Sequence, residues 1–460
     1  MRSEPAEYEF VSPGSLSAVL SILAREPGQW LPVAGGTDVM VLYGAGKLPA
    51  RRLVSLWNLP ELRRIDVRDH EVTVGAGSTY TDLRENAVLR TEFPLLAAAA
   101  SWTGGIANQN RGTLGGNIVN ASPAADSLPA LLVYEADMVL VSARGERRVR
   151  SVDFHTGYKK TLLAPDELVR CICLKRQFHD YFSYPRKVGA RNAQAISKVC
   201  VAALGKSSDR GMEDVRIAAG SVAPVPVRLW QTERLLRGQR ITSALVAEAR
   251  KVSVGEISPI DDIRSTAAYR SAVLANVVEE FLTGLQARDG HYRVLARWNQ
   301  LPREQAAEEI LACCGSVSWA RGLVSRRPIE DERSLLTSSD DLWNGLTPND
   351  WIEAFSKHPR IGERSVPAGT GARAAVWSAQ EQANITAAAQ SVHVALEQGN
   401  LLYERRFGRV FIVCATGKTA AEMLEILRKR LANDDATELY ESAEEQRKIT
   451  NIRLKKWLNS

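Results

Sequence analysis

The sequence predicts a multidomain protein with an α+β domain, a small α+β domain (a three-stranded sheet plus helices) and a C-terminal all-α helical domain. The first observation is length, because 460 residues amount to about three domains at roughly 150 residues each. The second is that the first part of the chain mixes short β-rich runs, glycine-rich turns and helical stretches without regular alternation. The third is an almost wholly helical pattern after residue 288.

The first domain is predicted to cover residues 1–176. Apolar and polar residues alternate or cluster over strand length in some segments, and longer amphipathic stretches between them favour helices. Strands are predicted at 30–34, 71–75 and 137–142, and helices at 15–24 and 94–101.

The second domain is predicted to cover residues 177–287. Strands are expected at 193–204 and 215–221, and amphipathic helices at 241–252 and 265–282. The polar segment Gln286-Ala-Arg-Asp-Gly290 is expected to end the last helix, so we place the domain boundary there.

The third domain is predicted to cover residues 288–460. Helical periodicity recurs at 303–314, 348–357, 378–397, 419–432 and 437–458. The exception is Arg409-Val-Phe-Ile-Val-Cys-Ala415, whose β-branched content favours a strand.

Composition limits the function classes. Lys plus Arg exceed Asp plus Glu by only 59 to 53, which is too thin an excess to indicate a nucleic-acid partner. No two of the six cysteines have C-x-x-C spacing, so neither a metal site nor an iron–sulfur cluster is predicted, and a reducing compartment is expected. The longest apolar runs reach about half of the ~20 residues that a membrane span needs, and the acidic N-terminus does not resemble a signal peptide. These features predict a cytoplasmic protein without a membrane partner.

Two glycine-rich loops are the strongest binding motifs in the first domain. Ala34-Gly-Gly-Thr-Asp38 follows an apolar strand, and Gly112-Thr-Leu-Gly-Gly-Asn117 precedes Asn120-Ala-Ser-Pro-Ala-Ala-Asp126. Glycines let main-chain amides approach a ligand, and consecutive amides can form a nest for a pyrophosphate. A single Gly-Gly pair is more often a plain turn, but two such loops with neighbouring Thr, Asp or Asn favour binding. Neither loop is the G-x-G-x-x-G of a Rossmann unit.

Together with Ser122-Pro-Ala-Ala-Asp126, these loops resemble the signature of the FAD-binding (medium) subunit of xanthine dehydrogenases and carbon monoxide dehydrogenases. The resemblance covers about residues 5–285 and includes Tyr158-Lys-Lys-Thr-Leu-Leu163 and Arg186-Lys-Val-Gly-Ala-Arg191 with Ala195-Ile-Ser-Lys-Val199. It implies that the first domain binds FAD, with Asp126 on the adenosine side, Lys187 near the isoalloxazine, and further contacts at Thr103 and Val169. The implied diphosphate loops comprise Pro32, Val33, Ala34, Gly35, Gly36, Thr37 and Asp38, and Thr113, Leu114, Gly115, Gly116 and Asn117.

The resemblance implies electron transfer. In that family the flavin receives electrons from two-iron two-sulfur clusters on a small subunit and passes them to NAD. The clusters in turn receive these electrons from the molybdenum cofactor on a large subunit. A flavin suits this relay because it exchanges single electrons with clusters and a hydride with nicotinamide. The expected partners are therefore these two subunits, in an oligomer.

A second motif lies in the third domain. His358-Pro-Arg-Ile-Gly-Glu363 follows a predicted helix, and Trp377-Ser-Ala-Gln-Glu381-Gln382 opens the next. Proline disfavours helical geometry in the residue before it, so the imidazole is expected at a helix end. Taken alone, the spacing favours a plain capping box of Ser378 with Glu381 and a core histidine.

The wider pattern resembles 2-oxo-4-hydroxy-4-carboxy-5-ureidoimidazoline (OHCU) decarboxylase, an all-helical enzyme, over about residues 297–458. It includes Phe411-Ile-Val-Cys-Ala415 and Lys448-Ile-Thr-Asn-Ile-Arg453-Leu. The resemblance implies His358 as proton donor, Glu381 as its acidic companion and Arg453 at the ureido end, without a cofactor. The implied substrate contacts are Pro359, Ser378, Gln382 and the main chain of Phe411, Ile412, Val413, Cys414 and Ala415. The helical fold of this family conflicts with the strand predicted at 409–415.

Both resemblances together indicate a fusion of two activities on either side of urate, since xanthine oxidation makes urate and OHCU arises from its oxidation. Two alternatives stay open. The flavin module could serve another molybdenum hydroxylase, such as one that oxidises carbon monoxide, or it could be a docking module that carries an active decarboxylase.

Overall fold

The computed structural model describes residues 4–191, 194–208, 211–360, 377 and 390–459. The chain divides into two compact units, Met1–Gln286 and Ala287–Ser460. Within the described residues, no helix is both long and apolar enough to span a membrane.

The first unit begins with a small parallel sheet. Its strands β1 (Glu9–Val11), β2 (Trp30–Val33) and β3 (Arg52–Ser55) have the spatial order β1-β3-β2, and helices α1 (Leu16–Arg25) and α2 (Val39–Gly44) connect them. Helix α1 forms because the Ser15 hydroxyl accepts the Ala18 amide at its start, and its apolar residues Val19 and Leu23 are buried. Parallel strands end at one edge, so the loop after β2 lies beside the end of β3.

A five-stranded antiparallel sheet and the helices packed on it form the main core of this unit. The strand order is β4-β5-β10-β6-β7. The strands are β4 (Ile65–Val67), β5 (Glu71–Gly75), β6 (Asp137–Ser142), β7 (Gly145–Arg150) and β10 (Leu168–Lys175). Strands β8 (His155–Gly157) and β9 (Lys160–Thr161) form a separate small hairpin between β7 and β10 in the sequence. The helices are α3 (Tyr80–Glu85), α4 (Ala87–Glu92), α5 (Pro94–Trp102), α6 (Ile106–Gln109), α7 (Leu114–Asn120), α8 (Ser127–Val133) and α9 (Ser151–Phe154), and Pro5–Glu7 and Pro60–Leu62 are short 3₁₀ turns. The strands predicted at 71–75 and 137–142 and the helix predicted at 94–101 are confirmed.

The sheet in the second predicted domain has four antiparallel strands, not the three that were predicted. They are β11 (Phe182–Val188), β12 (Val199–Ser208), β13 (Gly211–Gly220) and β14 (Val227–Arg228), followed by α10 (Trp230–Leu236), α11 (Ser243–Gly255) and α12 (Ala267–Gln300). Strand β14 is two residues long, which is too short to leave a pattern in the sequence. Strand β11 escaped the segment-by-segment prediction because Pro185 interrupts it, and it lies at the edge of the sheet, where proline is tolerated.

Helix α12 corrects the prediction that the polar segment Gln286–Gly290 ends a helix. The helix continues to Gln300, and the division between the two units falls inside it. Polar residues continue an exposed helix face, and an isolated glycine without a following proline weakens a helix but does not stop it.

The second unit is helical in its described part, and its core contains the buried tryptophans Trp298, Trp319, Trp343 and Trp457. Its helices are α13 (Arg303–Cys314), α14 (Val317–Ser325), α15 (Glu332–Asn344), α16 (Pro348–Phe355), α17 (Gln390–Phe407), α18 (Ala420–Arg430) and α19 (Asp435–Leu458). The strand predicted at 409–415 is wrong. Residues 410–415 are an irregular segment, and the side chains of 411–415 are buried. Their β-branched composition reflects this burial and not a sheet.

Candidate functional site

The two glycine loops lie against each other. A side chain on Gly35 would begin 1.7 Å from the carbonyl oxygen of Arg111, so only glycine fits at this contact. Gly36 has a φ of +75°, which also favours glycine. The fold therefore joins the loop at 34–38 to the chain that leads into Thr113, as the binding prediction requires.

The first loop retains free amide donors. Among the described residues, none accepts a hydrogen bond from the main-chain amides of residues 34–38, and Thr37 and Asp38 are exposed. The loop is held in place through its carbonyl groups, because the amides of Met40 and Leu42 bond to the oxygens of Gly36 and Asp38. An unpaired run of amides at a strand end fits an anionic diphosphate.

The second loop has fewer free amides than the first. The amide of Leu114 bonds to the Ser78 oxygen, that of Gly115 to the Ala76 oxygen and that of Asn117 to the Thr113 oxygen. Its role as a diphosphate loop stays a prediction. The Gly116 amide bonds to the hydroxyl of Thr113 at 3.1 Å and so caps α7. What this loop offers a ligand is the bare, exposed surface of Gly116.

Gly115 and Gly116 differ in what excludes a side chain. A side chain on Gly115 would begin 2.6 Å from the Cβ of Ala76, so this glycine is required by packing. At Gly116 the single neighbour within 4 Å is the Thr113 hydroxyl, at 2.9 Å. A side chain at Gly116 would therefore point to the exposed surface, where it would contact a bound ligand, and not into the core.

Asp126 and Lys187 form one buried ion pair. The Lys187 Nζ lies 2.7 Å from Asp126 Oδ2 and also donates to the Trp102 carbonyl oxygen at 3.0 Å. The other Asp126 oxygen accepts from the Ser197 hydroxyl at 2.5 Å. Asp126 was predicted on the adenosine side of FAD and Lys187 near the isoalloxazine. Because the two side chains are bonded to each other, they mark one position in the fold and not two, and the cofactor contact of each stays a prediction.

The two less specific FAD contacts have different surroundings. Thr103 donates to the Ala99 carbonyl oxygen at 2.8 Å and lies beside the phenol of Tyr80, whose pKa is raised by burial and by the charge of Asp126. Val169 belongs to the apolar core, with 5% of its surface exposed. A cofactor contact at Val169 stays a prediction, and with the side chain buried it would involve the main chain.

In the second unit His358 lies just beyond α16, as predicted, and is 8% exposed. Burial, with the positive charge of Arg453 as the second cause, lowers the pKa of His358 to about 3. Among the described residues, its Nε2 has no hydrogen-bond partner. At neutral pH the imidazole of the free protein is therefore uncharged.

Helix α19 supplies the groups around this imidazole. Arg453 is 3% exposed, and its charge reaches both His358 and the Cys314 thiol, whose pKa is raised by burial to about 12. The fully buried Gln446 lies about two turns before Arg453 on the same face of this helix, and its side chain raises the pKa of His358. Sequence reasoning missed Gln446, because a glutamine on a helix face carries no motif.

Part of the main chain of the irregular segment 411–415 is already hydrogen-bonded within the protein. Arg430 bonds to the Ile412 oxygen at 2.5 Å, Lys418 to the Cys414 oxygen at 2.6 Å, and the Cys414 amide to Glu445 at 2.7 Å. Within the described part of the chain, no acceptor occupies the amides of Phe411, Ile412, Val413 and Ala415. These four amides are the donors that remain for a substrate, and they include Val413 and Ala415 at the end of the segment.

The remaining predicted residues divide into two groups. Pro359 is buried directly after His358. Ser378, Glu381 and Gln382 lie outside the residues that the structure describes.

Another arrangement that the sequence did not reveal lies beside the glycine loops. The guanidinium groups of Arg63 and Arg111 stand 3.9 Å and 3.8 Å from the ring centre of Trp57. Both arginines stack on this indole, which fixes the chain that leads into the second loop. No sequence spacing signals the contact between Trp57 and the distant Arg111.

Three family models match the chain in succession. They are the FAD binding domain in molybdopterin dehydrogenase over residues 6–174, the CO dehydrogenase flavoprotein C-terminal domain over 185–285, and OHCU decarboxylase over 299–455.

Relatives support both parts. The xanthine dehydrogenase FAD-binding subunit of Escherichia coli O157:H7 is 28% identical over 278 residues, which is 60% of this chain and 95% of that protein. The uric acid degradation bifunctional protein TTL of Arabidopsis thaliana is 38% identical over 155 residues, 33% of this chain and 47% of that protein. The solved carbon monoxide dehydrogenase of Hydrogenophaga pseudoflava shares 25% identity at a TM-score of 0.58, covering 61% of this chain and 96% of the matched chain. The chain therefore belongs to the FAD-binding (medium) subunits of the molybdenum-dependent dehydrogenases and carries an OHCU decarboxylase domain fused to that subunit.

Proposed function

We propose that this chain is a bifunctional protein of purine breakdown. Its first unit is the FAD electron-transfer subunit of a xanthine dehydrogenase, with NAD as the electron acceptor. Its second unit decarboxylates OHCU to (S)-allantoin. The observation that carries the proposal is the fusion itself, because the two matched families include a xanthine dehydrogenase subunit and a uric acid degradation protein.

The residues of the first unit fit FAD. The unpaired amides of 34–38 can donate to the diphosphate, and the exposed Gly116 allows the cofactor to approach. The Asp126–Lys187 pair joins the residue that precedes helix α8 to strand β11. It therefore connects the two parts of the chain that matched separate flavoprotein families. When bound, FAD would supply one-electron exchange with a cluster and hydride exchange with a nicotinamide.

The partners follow from the proposed division of labour. A small subunit with two-iron two-sulfur clusters supplies electrons, and a large subunit with the molybdenum cofactor oxidises the substrate. The assembly is an oligomer in the cytoplasm. Xanthine is favoured as the substrate because the decarboxylase acts on the same route, after urate.

A second candidate substrate rests on the likeness to carbon monoxide dehydrogenase. In that case the flavin subunit serves another molybdenum hydroxylase, and the decarboxylase is joined to it for other reasons. Co-purification of the partner subunits from the source cell and assay with xanthine and with carbon monoxide separates the two candidates.

The decarboxylation follows from the charges around His358. The bond between the ring carbon and the carboxylate breaks, carbon dioxide leaves, and the electron pair passes into the neighbouring carbonyl as an enolate. The amides of Val413 and Ala415 are placed in the segment proposed to bind this ring, and such donors stabilise developing negative charge. His358 then delivers a proton to one face of the carbon, which fixes the stereochemistry.

The low pKa of His358 sets a condition on this step. An imidazole with a pKa of about 3 holds no extra proton at neutral pH. An anionic substrate beside Arg453 offsets the positive charge and raises the pKa of His358, so the complex takes up the proton that it later delivers. Glu381 either orients the substrate hydroxyl or sets the protonation of His358.

The test uses the purified full-length chain. The proposal expects an oxidised-flavin absorption spectrum, no NADH formation from xanthine and NAD by this chain alone, and rapid (S)-allantoin formation from OHCU. OHCU is generated freshly from urate and followed by circular dichroism, because spontaneous decay gives racemic allantoin. A colourless protein with an active decarboxylase would favour the docking-module alternative, and xanthine oxidation by the isolated chain would contradict the division of labour.

A further inference from the structure

We propose that Gln446 is a positioning residue for His358, whose amide oxygen holds the Nε2–H of the imidazole so that Nδ1 faces the substrate. The inference rests on the proposed decarboxylase function. Two observations carry it: the fixed orientation of the Gln446 amide, and two buried polar atoms that have no partner among the described residues.

The orientation of the Gln446 amide is fixed by its donors. Its Nε2 lies 3.3 Å from the Cys314 carbonyl oxygen and 3.3 Å from the Thr450 hydroxyl oxygen. The Thr450 hydroxyl donates its hydrogen to the main-chain carbonyl oxygen of Gln446 at 3.0 Å. Toward the side-chain amide of Gln446 it can therefore only accept. Both N–H groups of the amide are therefore directed at acceptors, and the amide oxygen points away from them.

The amide oxygen of Gln446 and the Nε2 of His358 are complementary: one can accept a hydrogen bond and the other can donate it. Gln446 Oε1 and His358 Nε2 are both buried, and neither has a partner in the part of the chain that the structure describes. The Gln446 side chain lies beside the imidazole, where it raises the pKa of His358 against the larger opposing effect of burial. The two atoms are not hydrogen-bonded to each other in this structure; the proposal pairs them through a proton on Nε2, because an unpaired buried polar group is costly.

The other nitrogen then has a defined role. The hydrogen bond that one nitrogen of an imidazole makes decides which nitrogen carries the proton in the neutral ring. With Nε2–H held by Gln446, Nδ1 is the atom that gains and loses the catalytic proton. Gln446 touches neither substrate nor the reacting carbon in this proposal, so it acts through His358.

The experiment records the ring nitrogen signals of ¹⁵N-histidine-labelled full-length protein at neutral pH. The chain has six histidines, and the His358→Asn variant identifies the signal of His358 by its loss. We expect the Nε2–H tautomer in the wild type. In Gln446→Leu, which keeps the size of the side chain but removes its polar atoms, we expect a tautomer mixture. The turnover number should fall about tenfold, the effect of one hydrogen bond, with little change in KM.

Two further variants separate positioning from folding. Gln446→Glu retains an acceptor oxygen and should keep the Nε2–H tautomer while raising the pH at which His358 titrates. Tyr440→Phe changes an exposed side chain on the same helix, remote from the Gln446 amide, and should leave the tautomer unchanged. An Nδ1–H tautomer in the wild type, or an unchanged tautomer in folded Gln446→Leu, would overturn the proposal. Because the tautomer is measured without substrate, absence of decarboxylation in the wild type would reject the proposed function and not this assignment.

Discussion

The Nζ of Lys187 on strand β11 lies 2.7 Å from the Oδ2 of Asp126, the residue that precedes helix α8. Both side chains are almost fully buried, with 3% and 6% of their surfaces exposed. The pair connects parts of the chain that are 61 residues apart in sequence. It therefore belongs to the fold of the first unit whatever its relation to a cofactor.

The first prediction concerns this pair. Lys187→Met leaves a buried carboxylate without its cation, which typically costs about 3–5 kcal/mol of unfolding free energy. Urea unfolding followed by flavin fluorescence should show a loss of this order. Asp126→Leu combined with Lys187→Met should cost less than the two single losses added together. Additive losses would mean that the two groups do not interact.

The second prediction concerns Gly116. Gly116→Val places methyl groups on the loop surface that the cofactor is proposed to meet, so we expect FAD content to fall at least about tenfold, since close approach depends on a missing side chain. Decarboxylation should be nearly unchanged. Gly14→Val is the matched control, because the space around Gly14 is open. Normal flavin absorbance in Gly116→Val would show that the loop does not bind FAD.

The third prediction separates the two activities through one residue. His358→Asn keeps some hydrogen bonding but cannot transfer a proton near neutral pH. Decarboxylation should fall about 100- to 10,000-fold, the usual effect of losing general acid–base catalysis, while FAD content stays unchanged. Circular dichroism of fresh OHCU measures the rate. Rapid (S)-allantoin formation by the variant would show that His358 is not the proton donor and would favour Glu381 instead. A loss of flavin would show that the folding of the two units is coupled.

The fourth prediction is a pH dependence of stability. His358 has a pKa of about 3 in the folded protein against an ordinary value of 6.5. The unfolded chain therefore binds a proton that the folded chain does not bind between these pH values. The contribution of neutral His358 is complete above pH 6.5 and is lost as the pH falls toward 3.

Between pH 7 and pH 5 this single group should cost roughly 2 kcal/mol of unfolding free energy. Carboxylates add to the acid sensitivity of any protein, so the comparison is between the wild type and His358→Asn under the same conditions. Urea unfolding followed by tryptophan fluorescence should show a smaller acid-induced loss in the variant. Equal losses would mean that His358 titrates normally.

Local patterns predicted those elements whose burial alternates or recurs along the chain. Strand β5 and helix α13 appear where their hydrophobic periodicity places them. The predicted end of helix α12 and the predicted strand at 409–415 were wrong. In both cases long-range packing decided the local structure: the polar stretch continued a helix, and the β-branched run stayed irregular.

The same distinction holds for the candidate site. Motif spacing indicated the first glycine loop and His358, since both are contiguous in sequence. The pairing of Lys187 with Asp126 and the contact of Gln446 with His358 depend on helices and strands that meet only in the folded chain. The internal bonding of the amides of residues 114–117 likewise depends on Ala76, Ser78 and the cap at Thr113.

The contact of Gly35 with the Arg111 carbonyl oxygen has a consequence for the affinity of the flavin site. Ordering one residue of a flexible loop costs about 1–2 kcal/mol of conformational entropy. Because the protein joins the two loops through its own backbone, this ordering is completed during folding and is not subtracted from the binding free energy of the ligand. A diphosphate that bound at these loops as proposed would therefore meet a preorganised surface, without a search of loop conformations.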